Sequence, residues 1–464
     1  MNEIRFVAAT GVLGVGVHEP SLDKALDAKP HFIAADAGTT DAGPFALGSG
    51  KAAFARDAVR RDLDIILRMG RKGGIPVLIG SAGTAGADIH VDWLLEIARD
   101  IARHHGLSFK VAVIRSQQDK AYLQGLLAED RIVALDPAPY LDAGVIERSE
   151  RIVGMMGVEP LQQALAAGVD LILAGRCSDP ALYAALPIAR GLPPGLAWHA
   201  GKIAECGTMC CETSGKGVIM AAIRADEALI WPVGDGLRCT PQSVAAHSLY
   251  ESGDPYIHKE CSGTLDLSQS TFEAADDKTV RIRGSQFLPA ERYTVKLEGA
   301  ERIGFQTIMI GGVRDPYIIR QLDDWLAKIK GYIHASVAGL LPEGLTRDDY
   351  EIVFHVYGRN AVMGALEPHP DHVPQEVGIV VEATAPTQAL ATTIAKLCRQ
   401  PLLHAPIAEW KGAITGYACL HNPAEIERGA VYRFNLNHVA VPRAPGEMFR
   451  TSFETIGGES ECAA

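Results

Sequence analysis

Residues 32–51 read FIAADAGTTDAGPFALGSGK, and the reading of this stretch decides the fold. The run from Phe32 to Asp36 is apolar, too short for a helix and followed at once by turn residues, which marks a strand buried on both faces. The loop after it carries Gly38, Gly43, Gly48 and Gly50, the hydroxyls of Thr39 and Thr40, and the carboxylates of Asp36 and Asp41. A tight turn needs about four residues. A longer loop of this composition at a strand's end predicts one wall of a ligand site.

Working outward, the same alternation recurs. Strands are expected at residues 4–9, 77–80, 111–115 and 169–174. Helices are expected at 52–69, ending at Gly70, and at 117–128 and 160–167. A further helix presents Ile89, Trp93, Leu94, Ile97 and Ile101 on one face at three-to-four spacing. Short apolar strands separated by amphipathic helices predict an α/β fold, with an N-terminal mostly parallel sheet and helices on both faces.

The character changes near Trp231-Pro232. The segment 238–286 is polar, with short strand-like pieces. Beyond it the order is β-α-β-β-α-β: strands at 303–313, 350–357, 377–382 and 432–441, with one helix capped by Asp315-Pro316 and another opened by Pro386. That order predicts a C-terminal α+β domain of the ferredoxin-like kind. The expected division is therefore 1–235, 236–450 and a flexible tail, 451–464.

At 464 residues the chain exceeds a single ordinary core. A formal net charge of -12 argues against nucleic acid and anionic membrane as partners, while leaving room for a small anionic substrate at a local positive site. Glu3 and Arg5 interrupt any leader-like start, and no run nears the roughly 20 apolar residues that span a bilayer. Nine cysteines, an odd number, read as reduced thiols in a cytoplasmic protein. Exposed sheet edges suit a homo-oligomer.

In open parallel sheets ligands bind outside the carboxyl ends of the strands, and four loops fall there. They are the opening loop, Gly80 to Gly86, Arg115-Ser116-Gln117, and Gly175-Arg176-Cys177-Ser178-Asp179-Pro180. In the second, glycines and a helix N-terminus suit a compact anion, with Ser81, Gly83 and Thr84 as its contacts. Its G-x-x-G-x-x-G spacing is neither the dinucleotide fingerprint nor the Walker motif. Arg176 suits a bidentate carboxylate clamp; an internal pair with Asp179 is the alternative, and Asp179 itself reads first as a helix cap. In Gly201 to Glu212, Glu205 beside glycine suits acid–base work, with a solvated helix face as the alternative. Cys206 stands next to it, and Cys206, Cys210 and Cys211 do not match the paired spacing of structural zinc. Arg314, between glycines and Asp315-Pro316, is a further candidate anion contact, although surface pairing is the commoner fate of such a residue.

Taken together, the stretches Asp36 to Pro44, Leu47 to Lys51, Gly80 to Gly83, Gly175 to Pro180, Glu205 to Gly207, Arg238 to Pro241, Ser243 to His247, Lys296 to Ala300 and Arg314 to Pro316 resemble the acyclic terpene utilisation AtuA-like family. The likeness runs over most of residues 3–445. It implies a role in degrading branched acyclic compounds. Ala42 departs from the family pattern, where a proline is usual, and Cys210-Cys211 is a local peculiarity.

The expected function is a catabolic enzyme acting on an acyclic carboxylate or its CoA thioester by proton transfer, of lyase, hydratase or isomerase type. Glu205, Asp36 or Asp41 moves the proton, with Cys206 beside them. Gly38, Thr39, Thr40, Ser81, Gly83, Thr84, Arg115, Arg176, Cys177, Ser178 and Arg314 contact substrate. No redox cofactor is obligatory for such chemistry; a Mg or Mn ion bridging Asp36 or Asp41 to substrate suits the carboxylate-rich loops. A metal-assisted hydrolase and a non-catalytic binding component are the other classes.

Overall fold

The computed structural model describes residues 3–409 and 415–457. Five strands form its parallel centre, side by side in the order Glu3–Ala8, Phe32–Asp36, Val77–Gly80, Leu171–Ala174 and Phe109–Arg115. Phe32–Asp36, Val77–Gly80 and Leu171–Ala174 are buried along their whole length, because both faces are covered. Successive residues point to opposite sides of a sheet. Phe6, Ala34 and Leu78 accordingly pack with Leu182, Tyr183 and Trp198, while Val7, Ile33 and Ile79 pack with Leu63, Ile66 and Leu94 on the other side. The Phe6 ring stands 5.5 Å from Phe32 and 5.0 Å from Tyr183.

Antiparallel strands extend this sheet at both ends, so it is mixed overall. Val218–Arg224 pairs with Glu3–Ala8, and Ala228–Val233, Val280–Arg283 and Thr271–Ala274 follow in turn. At the other end Arg450–Ile456 pairs with Phe109–Arg115. The tail expected to be flexible from Thr451 is thus a strand as far as Ile456, which is buried at 2% exposure.

Two helices differ in detail from expectation. The helix Arg56–Gly73 runs past Gly70 and stops at Gly74, whose φ of 62° makes a left-handed cap. The buried face of Asp88–His105 is Val91, Leu94, Leu95, Ala98 and Ile101, whereas Ile89 is exposed.

By contacts the chain divides into two units, residues 1–301 with 434–464, and residues 302–433. The pairing of Val280 with Ile230 carries the segment after residue 235 into the first unit, past the expected division there. In the second unit Glu351–Tyr357 pairs with Val377–Ala385, which pairs with residues 305–313 of the strand Val295–Val313, all antiparallel. Trp325, Ile329 and Ile333 of helix Leu322–Ala338, and Leu390 and Ile394 of helix Gln388–His404, cover one face of these strands. Asp315 caps its helix as expected, its carboxylate accepting from the N–H groups of Tyr317 and Ile318. Among the described residues no helix is long and apolar enough to cross a membrane.

Candidate active site

Two parallel strands, and a helix packed near them, bring three carboxylates to one cavity of about 750 Å³ in the first unit. Asp36 closes the strand Phe32–Asp36 and is 4% exposed. Its Oδ2 accepts from the Gly38 N–H at 3.1 Å, while its Oδ1 has no hydrogen-bond partner. Asp179 lies just beyond Leu171–Ala174; its Oδ1 is 3.5 Å from Arg176 and likewise accepts no hydrogen bond. Glu205 ends the helix Pro194–Ala204 and is also 4% exposed. Lys202 Nζ donates to its Oε1 at 2.6 Å, and Oε2 is unpartnered. Val12, Val15, Val17 and Met209 give the same cavity an apolar wall.

A second cavity of about 300 Å³ shares Asp179 and Glu205 and adds Arg176, Lys202 and Glu260 to its lining. Ser178 Oγ donates to Glu260 Oε2 at 2.8 Å.

Burial governs the ionisation of this group, since a charge in a low-dielectric site is disfavoured. It pushes Asp36 well above the ordinary carboxylate range; the Asp179 charge adds to the rise, and Arg176 opposes it. Glu205 is raised well above as well, because its burial outweighs the attraction of Lys202. Asp179 is raised by burial against the pull of Arg176 and Lys202. Glu260 is pushed up to about 8, again chiefly by burial. Cys206, on the cavity wall, is raised to about 12 by burial and by the neighbouring Glu205, so it is a thiol at neutral pH rather than a ready nucleophile.

The loops expected to converge do meet, but their glycines serve packing between loops. A Cβ at Gly38 would stand 2.0 Å from the Thr84 carbonyl oxygen, one at Gly86 2.0 Å from the Arg176 nitrogen, and one at Gly175 2.4 Å from Ser116 Oγ. Gly83 packs in the same way on His90. Ser81 is fully buried, and its hydroxyl accepts from Arg176 Nη1 at 3.1 Å. Thr84 Oγ1 accepts from the Ala53 N–H. Arg176 makes the bidentate pair expected of it, but with Glu298 of the chain itself, at 3.0 and 3.3 Å.

Gly38 and Thr39 line the larger cavity and Asp41 stands exposed at its edge, whereas Thr40 lies outside that lining. The buried Cys177 thiol donates to the Ser178 carbonyl. Arg115 pairs with Asp92 at 2.5 Å and lines neither cavity. Arg314 belongs to the second unit, where it pairs with Glu376 at 3.5 Å.

Sequence reasoning passed over several groups. Asp179 is no cap: the helix Ala181–Ala189 has Pro180 at that position and no side-chain cap. Lys202, Glu251 and Glu260 were not singled out. Gly11, Gly14 and Gly16 follow the strand Glu3–Ala8, so the strand-end rule already pointed to their loop as part of the wall. Two of that loop's N–H groups, those of Gly14 and Gly16, are taken by buried Asp62 at 2.8 and 2.9 Å.

Residues 35–415 match the family described as "Acyclic terpene utilisation family protein AtuA". No curated protein and no solved structure matches the chain.

Proposed function

The chain belongs to the acyclic terpene utilisation family AtuA, and from that premise we propose a catabolic enzyme that moves a proton next to the carbonyl of an acyclic carboxylate or its CoA thioester. One observation carries this reading: Asp36, Asp179 and Glu205 line a single cavity, and each has one buried carboxylate oxygen that accepts no hydrogen bond, that of Asp179 standing 3.5 Å from Arg176. A buried polar atom left without a partner costs free energy, and a substrate hydroxyl, carbonyl or enol is the kind of group that would satisfy it. The upward shift that burial gives all three carboxyls supports the role, because enzymes raise general acids and bases by burial in this way.

In this reading Glu205 is the acid–base group. Lys202 holds one of its oxygens and leaves the other facing the substrate. Asp36 and Asp179 stand where they would hold the developing enol. Val12, Val15 and Val17 shelter the hydrocarbon chain. The acidic lining disfavours a bare carboxylate beside these three groups, so the substrate's charged end belongs toward Lys202 or toward the exposed Lys216 at the larger cavity's wall. The lyase, hydratase and isomerase classes all share this first proton step.

The same oxygens suit a hard divalent ion such as Mg or Mn in donor type. Among the described residues, the only group of three or more His, Cys, Asp or Glu ligand atoms lying within 4.8 Å of one another is made of cysteines. Asp36 and Asp179 would therefore hold such an ion partly through water, and it would polarise the substrate carbonyl. The free state of every described cysteine supports a cytoplasmic setting. The strand Thr271–Ala274, at the end of the large sheet, supports a homo-oligomer. From Val295 to Ala440 the longer elements run strand, helix, strand, strand, helix, strand, with the short helix Pro316–Arg320 and the two-residue strand Ala418–Cys419 between them, an order that supports the ferredoxin-like assignment of the second unit.

The test is exchange of substrate α-protons with deuterated water by the purified chain, across acyclic acids and their CoA thioesters. Exchange that Glu205→Gln abolishes supports the reading; no exchange with any of them overturns it.

A further inference from the structure

Away from the carboxylates, Cys210, Cys211 and Cys239 lie together in the first unit. All three are buried, at 0%, 6% and 3% exposure, and their sulfurs lie within 4.8 Å of one another. Cys211 and Cys239 are 3.9 Å apart, far beyond the roughly 2.05 Å of a disulfide. A zinc–thiolate bond of about 2.3 Å in tetrahedral geometry sets neighbouring sulfurs about 3.8 Å apart. The Cys211–Cys239 spacing matches a metal–thiolate edge, and is also that of a thiol–thiol hydrogen bond.

The backbone fixes this arrangement from both sides. Glu212 N–H donates to the Arg238 carbonyl at 3.0 Å, and Cys239 N–H to the Lys278 carbonyl at 3.2 Å. Ser243 Oγ donates to the Cys210 carbonyl at 2.9 Å, joining the turn Gly207–Cys210 to the helix Pro241–Ser248. Thr240 and Ser243 cap that helix reciprocally. Packing alone accounts for an isolated buried thiol such as Cys398. It does not call for three thiols converging at coordination distance.

We propose that Cys210, Cys211 and Cys239 form a three-thiolate site for a thiophilic d10 cation, zinc(II) or copper(I). Three soft sulfur donors select such ions over magnesium, manganese or calcium. The chain supplies three ligands; zinc would complete its tetrahedron with a water or another small ligand, whereas copper(I) accepts three sulfurs alone. Binding releases the thiol protons, so affinity rises with pH. The cation would tie the turn after Glu205 and Cys206 to the helix Pro241–Ser248. Its role is structural, and the site stands whether or not the proposed proton transfer is correct.

The test uses the full chain under reducing conditions, stripped by a chelator and then titrated with cobalt(II) alone. A thiolate-to-cobalt charge-transfer band that saturates near about one equivalent and collapses on adding zinc is the expected result. Competition with a copper(I) chelator then tells zinc from copper. Cys211→Ser and Cys239→Ser should lose the band, and Cys398→Ser should keep it, with circular dichroism confirming that each variant is folded. Absence of the band in the wild-type chain, together with failure to hold copper(I) against the chelator, overturns the proposal without recourse to any variant. So does an equal band in folded Cys211→Ser and Cys239→Ser.

Discussion

Lys202 Nζ stands 2.6 Å from one oxygen of Glu205, while the other oxygen of that carboxylate meets no partner. The lysine therefore orients the carboxyl without saturating it. Burial raises Glu205 well above the ordinary carboxylate range despite the adjacent ammonium.

Replacing Glu205 by Gln keeps the shape and removes the titration. Turnover is expected to fall by about 10²–10⁴-fold, the usual share of a positioned acid or base, with an unchanged circular dichroism spectrum. Solvent-deuterium exchange rates in wild type and variant give the comparison. Equal rates would remove Glu205 from the mechanism.

Glu298→Gln tests the internal pairing of Arg176. Both partners are buried, and removing one charge leaves the guanidinium the longer 3.5 Å contact to Asp179 as its ion pair. A loss of about 3–5 kcal/mol is expected, read as a lower urea midpoint. A midpoint within error of wild type would show that the pair holds little.

Gly38→Ala drives a methyl group into the Thr84 carbonyl. Neither loop can yield cheaply, because the obstacle is backbone. The expected cost is about 1–3 kcal/mol or more, with thermal unfolding as the measurement. At half-buried Gly43, where a Cβ meets nothing within 4 Å but φ is 106°, only the backbone strain applies, so Gly43→Ala should cost less.

Stability should depend on pH through Glu260, whose carboxyl rises from 4.5 to about 8 in the folded chain. Between those values the folded state holds a proton that the unfolded chain has released. Stability is therefore full below about pH 4.5 and declines as pH climbs toward 8. Denaturation midpoints for wild type and Glu260→Gln, taken across that window, should converge toward its acid end and separate toward its alkaline end, the variant being the steadier. Parallel curves would rule Glu260 out as a source of the dependence.

The parallel centre was legible because Phe32–Asp36, Val77–Gly80 and Leu171–Ala174 are apolar without interruption, a pattern set by burial on both faces. Asp36 and Glu205 were legible from their glycine-flanked settings. The partner of Arg176 was not: Glu298 lies 122 residues away, on a strand brought in by pairing with Ser149–Gly154, and no local pattern announces such a meeting. Arg450–Ile456 escaped for a related reason. Its alternation is weak and Phe453 is exposed, so only its partner Phe109–Arg115 makes it a strand. Asp179 was misread because Asp before Pro suits a helix cap as well as it suits a cavity wall.

Strand Arg450–Ile456 adds one more consequence. The first unit is interrupted by residues 302–433 and completed by residues 434–457. On the ribosome its large sheet stays one strand short until residues 450–456 have been made, leaving the outer margin of Phe109–Arg115 open to foreign strands meanwhile. Nascent chains stalled before residue 450 should thus be the ones that recruit chaperones and aggregate.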